Sequence, residues 1–223
     1  MRPDPGTPCR GFTLLETMIT LAVFSLLLVL IFGTFSMSTS IFQDTDVRQS
    51  TEIQMKSIKL LLQRDLEMGD FWYLNTVLRT HGGMQRDGMA IGTLADWDDP
   101  GQYDGTTGRP AWNRYVVWYA TQEEVGRLIR QVIDGGGLLA APYAGLSTNL
   151  NEDPDANSNV LYSRTLSQRL MEFQVTPMMQ NGTVEVKVRL QSKGAGRPNS
   201  MERTVENLEL SMTFRPRNSW PQI

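Results

Sequence analysis

From Phe12 to Phe35 the chain carries one apolar run interrupted by a single charged side chain, Glu16. As a helix, a run of that length crosses the ~30 Å hydrocarbon core of a bilayer with some tilt. Arg2 and Arg10 precede it, with Asp4 counting little, so the positive-inside rule predicts a cytoplasmic N-terminus and an exported remainder. Gly33, Thr34, Ser36 and Ser38 imitate a signal-peptide cleavage site only loosely, which favours a retained anchor. A carboxylate in such a helix costs about 2.5 to 3.5 kcal/mol at its centre and less near an interface. Glu16 therefore either lies among headgroups or has a partner.

The residues around it favour the second reading. Gly11-Phe12-Thr13-Leu14-Leu15-Glu16 opens the run and resembles the class III signal of type IV pilins and type II secretion pseudopilins. The resemblance implies that a prepilin peptidase cuts between Gly11 and Phe12 on the cytoplasmic side and methylates the new terminus at Phe12. Residues 1–11 are then a leader peptide. Glycine offers a protease an unhindered backbone, and the freed amine of Phe12 is a cation that a neighbouring subunit's Glu16 can neutralise inside an apolar filament. Such a pair fixes register more than it adds stability, because a displaced subunit leaves its carboxylate unpaired. Removing the leader takes away Arg2, Arg10, Asp4 and Cys9, the only cysteine, and leaves 19 basic and 23 acidic side chains.

Beyond the membrane segment at 12–35, residues 36–67 are poor in Gly and Pro and end on Ile58, Leu61, Leu62 and Leu66, an apolar stripe at helical spacing. The membrane helix is expected to continue outward as an amphipathic one and to stop near Gly69. From Trp112 the pattern changes. Asn113 to Ala120 and Arg127 to Ile133 read as a hairpin, Leu166 to Pro177 contains a strand, and Thr183 to Gln191 and Leu208 to Phe214 alternate with period two. These belong to one antiparallel sheet, half solvated. Periodicity is poor over 70–110, where loops or an insertion are expected. The predicted class is α+β: a long N-terminal helix packed on an antiparallel sheet, with a periplasmic or extracellular head over 68–223.

Helix ending in Arg64-Asp65-Leu66, then a Tyr-rich strand, then Arg127-Leu128-Ile129-Arg130, then Phe173-Gln174-Val175 and a Val-alternating strand: this order resembles the J-type minor pseudopilins and the W-type minor pilins. It implies an inner-membrane, single-pass precursor that joins other minor and major pilin-like subunits on an inner-membrane assembly platform. There it primes, at the tip, either a type II secretion pseudopilus or a type IV pilus.

Other functions find little support. The chain has 24 acidic against 21 basic residues, without the clustered basic field that nucleic-acid binding needs. Twelve acids face six bases over 68–163, whereas 164–217 carries five against nine, a polarity that suggests head-to-tail contacts. That basic region is also the only encouragement for a tip that binds exoproteins or DNA. His81 is the only imidazole, and no GxSxG elbow, HExxH helix or CxxC pair occurs. No catalytic activity and no cofactor are expected. Gly135-Gly136-Gly137 lacks the Lys-Ser/Thr of a phosphate loop and reads as a turn. Two acidic loops, one with Asp96, Asp98, Asp99 and Asp104 and one over 151–157, offer oxygens for calcium, yet neither fits the EF-hand template, and solvated loops are the plainer reading. The runner-up function is a membrane-anchored binding or adhesion module using Trp97, Trp112 and Trp118, although strand aromatics usually belong to a core.

Overall fold

A computed structural model of the chain describes residues 13–193 and 205–217. One helix, α1 (Leu14–Met68), runs unbroken through both the apolar run and the expected amphipathic stretch, ~80 Å at 1.5 Å per residue. It is long and apolar enough to cross a membrane. Its large apolar side chains from Leu14 to Phe42 are exposed, whereas Ile58, Leu62 and Leu66 are fully buried. The i, i+4 spacing of those three residues builds the stripe that docks on the sheet.

The helix stops at Gly69, as its position suggested, but for a different reason. Gly69 is extended (φ −74°, ψ 176°) and donates its N–H to the Asp65 carbonyl. A Cβ there would collide with the Ile91 side chain and lie 2.9 Å from the Asp65 carbonyl oxygen. Close approach, and not a left-handed turn, selects glycine here.

Among the described residues nine strands follow: β1 (Asp70–Val77), β2 (Thr80–His81), β3 (Met84–Gln85), β4 (Gly88–Thr93), β5 (Arg114–Ala120), β6 (Gly126–Asp134), β7 (Val160–Met178), β8 (Thr183–Lys193) and β9 (Val205–Phe214). Seven form one sheet in the order β1-β4-β5-β6-β7-β8-β9, and β2 pairs with β3. Every pairing between these strands is antiparallel, and an isolated bridge between Arg86 and Phe173 is parallel. The β5–β6 hairpin and the strands β8 and β9 are those the periodicity predicts, and β8 and β9 lie side by side. The expectation of loops over 70–110 is corrected in part, because that stretch supplies β1 and β4. Gly88 to Gly92 of β4 are all buried, so the strand is covered on both faces and shows no apolar–polar alternation to read.

The same two-sided burial corrects the half-solvated sheet. On one face, Ile58, Leu62 and Leu66 of α1 pack with Trp118, Phe173, Val186 and Val188. On the other, Val117, Tyr119, Ile129 and Ile133 pack beneath Trp112, Leu139, Leu146 and Leu150, contributed by the long connections. The far end of the sheet is solvated on that second face, where Lys187 and Arg189 meet Glu172 and Glu209.

β7 joins the two ends: its first part pairs with β6, its second with β8, and the register shifts between Leu170 and Glu172. The segment before β4 fills that break. Asp87 donates its N–H to the Phe173 carbonyl at 2.9 Å, and its carboxylate accepts from the N–H groups of Val175 and Arg79 at 2.9 and 3.1 Å. Burial nevertheless raises the Asp87 carboxyl above its ordinary range, opposed by those two hydrogen bonds and helped by the charge of Glu172. Arg86 beside it is 1% exposed and donates to the Leu170 carbonyl at 2.5 Å.

Candidate functional site

Gly11 and Phe12, the expected cleavage pair, lie outside the described residues. Glu16 lies within them, in the first turn of α1, and its environment adds something that charge reasoning misses. Thr13 is the N-cap in extended backbone, and its hydroxyl accepts from the Glu16 N–H at 3.3 Å. Glu16 Oε2 in turn accepts from the Thr13 N–H at 3.0 Å and the Thr13 hydroxyl at 3.1 Å. This is a capping box, which satisfies helix-start donors reciprocally and brings a negative charge to the positive end of the helix. Its signature, Thr-x-x-Glu ahead of an apolar run, is legible in Thr13-Leu14-Leu15-Glu16. Both bonds use one oxygen, and among the described residues Oε1 has no donor. A cut between Gly11 and Phe12 leaves the box intact, because Thr13 keeps its amide.

At the other end of α1, Asp65 fixes the helix to the sheet. Its carboxylate accepts from Arg130 Nε at 2.6 Å, Arg130 Nη2 at 2.9 Å and Trp118 Nε1 at 2.9 Å. The Asp65 side chain is 4% exposed and that of Arg130 12%. Asp65 and Arg130 both stand in segments that the sequence singles out, although spacing alone does not pair them.

The four acidic residues offered for calcium do not converge; among the described residues no group of three or more His, Cys, Asp or Glu is arranged to hold a metal. Each of three closes its own turn: Asp96 accepts from the Asp98 N–H, Asp99 from the Gly101 N–H, and Asp104 from the N–H groups of Thr106 and Thr107. Hydrogen bonds from Thr107 hold the Asp104 carboxyl below its ordinary range. The second acidic loop is anchored rather than freely solvated. Buried Asn157 donates to the Tyr119 hydroxyl at 3.0 Å and to Gln131 Oε1 at 2.9 Å, and accepts from the Asn151 N–H at 3.0 Å. Burial raises the Tyr119 phenol to about 12.

Trp112 and Trp118 are buried at 7% and 0% exposure, and Trp97 packs edge-on against Trp112 with centroids 5.7 Å apart. Trp112 and Trp118 are core, and Trp97 is partly buried against Trp112 at the edge of its cluster, so the three do not form a displayed aromatic surface. His81 lies in the short β2–β3 hairpin. In the glycine run, Gly136 and Gly137 take φ of 70° and 134°, the left-handed backbone that a turn demands.

Residues 7–32 match the family model of the prokaryotic N-terminal methylation motif. That prepilin-type motif spans the end of the expected leader, the capping box and most of the apolar run, and it supports a type IV pilin-like, prepilin-processed subunit. No curated protein and no solved structure matches the chain.

Proposed function

We propose that the chain is a minor pilin-like structural subunit without catalytic activity. It is anchored in the inner membrane with its N-terminus cytoplasmic, cut between Gly11 and Phe12, and placed at the tip of a type II secretion pseudopilus or type IV pilus, whose assembly it primes. The observation that carries this reading is the first half of α1: an apolar surface from Leu14 to Phe42 that is left exposed by the described residues of the head, with Glu16 at its start. Lipid solvates such a surface before assembly, and a bundle of like helices solvates it afterwards. With one Glu16 oxygen engaged by Thr13, the other, which has no donor among the described residues, takes the Phe12 amine of a neighbour, so a single carboxylate both caps its own helix and sets the stagger between helices. Extraction from the membrane needs work from outside this chain, which an assembly-platform motor supplies. The tip position rests on the resemblance of the element order to J-type and W-type minor subunits.

The test is intact-mass and N-terminal analysis of the protein from its native membrane, with and without the prepilin peptidase. A peptidase-dependent start at methylated Phe12 is expected. An intact Met1 or a cut beyond the apolar run leaves a signal anchor or an exported binding module, and removes the assembly mechanism. Deleting a tip subunit should abolish filament initiation; shorter filaments in undiminished number would place it along the shaft.

A further inference from the structure

The sheet extends past the end of α1, and the step between them forms a cleft of about 330 Å³. Its polar lining is one-sided: Arg64 from the helix, Arg114 from β5, Arg130 from β6 and Arg164 from β7, against the single carboxylate of Asp65. The register explains the crowding. Arg130 lies directly opposite Arg164 across the β6–β7 pair, and like charges at such positions repel. Asp65 relieves only Arg130, because its oxygens are taken by Arg130 and the Trp118 indole. Arg114 reaches only the Ala95 carbonyl, at 3.5 Å. Arg64 and Arg164 have no hydrogen-bond or ion-pair partner among the described residues. None of the acidic residues of the neighbouring 96–104 loop lines the cleft, although Trp97 does.

We propose that this cleft is a docking site for a carboxylate-rich peptide segment of a neighbouring protein subunit. Three uncompensated guanidinium groups around one concavity stabilise an incoming segment with two or more carboxylates, since each arginine offers a planar fork that matches a carboxylate. Trp97 and the half-exposed Tyr162 give the edge an apolar rim against which the segment's backbone can lie. An acidic loop suits this site better than a phosphate backbone, because the exposed acids of the adjoining 96–104 loop repel a long polyanion while a short segment reaches the arginines past them. That the segment comes from a filament neighbour rests on the assembly reading above; the preference for carboxylates does not.

The full chain in uncharged detergent micelles is titrated with a terminally blocked peptide of alternating Asp and Gly bearing an uncharged fluorophore, with its Asn counterpart, and with labelled single-stranded DNA. The Asp peptide should bind saturably and the Asn peptide not. Arg64→Glu and Arg164→Glu should each weaken binding about tenfold or more, Arg164→Lys less, and Arg189→Glu on the solvated face of β8 not at all. Absence of Asp-peptide binding, binding indifferent to Arg64 and Arg164, or DNA held more tightly than the peptide at these arginines overturns the proposal. Glu16→Gln should bind the Asp peptide like the parent chain, so a failure of filament incorporation and a failure of the cleft are read separately.

Discussion

Asp65 on the last turn of the helix grips Arg130 of β6 with two hydrogen bonds, 2.6 and 2.9 Å long, and takes a third from the Trp118 indole. The helix end is thereby locked in rotation as well as position. The apolar stripe of Ile58, Leu62 and Leu66 tolerates small rotations; a bidentate pair does not.

Breaking that pair should be costly out of proportion to its net worth. Asp65→Ala leaves Arg130 largely buried without its counter-ion, and a loss of about 3 to 5 kcal/mol is expected in denaturant unfolding of the full chain in micelles. Replacing both partners, Asp65→Leu with Arg130→Met, should recover most of it. A double variant as unstable as the single one would show that the pair, and not the stranded charge, supplies the stability.

The capping role of Glu16 and its proposed pairing with a neighbour can be separated. Glutamine at the same position keeps a capping box but carries no charge, so Glu16→Gln should preserve helix onset and still enter filaments poorly. Thr13→Val should do the reverse, costing about 1 kcal/mol at the helix start, visible as faster amide exchange over residues 14–17, while the carboxylate stays available to a neighbour. Glu16→Val loses both and should insert in the membrane yet incorporate poorly. Equal incorporation of all three variants and the parent would remove the charge-pairing step.

Tyr119 gives the head an alkaline limit. Its phenol titrates near 12 in the fold against about 10 in the unfolded chain, so the folded state holds a proton that the unfolded state has lost. The associated stability is complete below pH 10 and falls as pH rises to about 12, by roughly 2 kcal/mol. Tyr119→Phe should cost about 1 kcal/mol at neutral pH, through the hydrogen bonds with Asn151 and Asn157. It should also flatten the slope between pH 10 and 12. Parallel pH profiles for the two proteins would contradict this assignment.

Gly126 opens β6 where the Arg86 guanidinium passes. A Cβ there would overlap Arg86 Nη1 and lie 3.1 Å from the Thr121 carbonyl oxygen. Gly126→Ala should destabilise by about 1 to 3 kcal/mol, and less when combined with Arg86→Met, as a thermodynamic cycle of the four proteins would measure. Additive losses would mean that the strain lies in the backbone instead.

The sequence by itself determined the features that depend on near neighbours along the chain. The apolar run, the Gly11-to-Glu16 motif, the stripe on α1 and the period-two strands β8 and β9 are each written in consecutive residues, because one face or one solvent decides them. The capping box was equally legible, in the Thr-x-x-Glu spacing. Tertiary structure decided the rest. β4 has no readable alternation because both its faces are covered, one by α1 and one by connections more than twenty residues away. The glycine at the helix end is explained only once Ile91 is placed against it. Asp65 and Arg130 lie 65 residues apart, and the arginines of the cleft come from four different elements. Such charges look solvated in sequence; sheet register and helix docking bring them together, and neither is encoded at a fixed spacing.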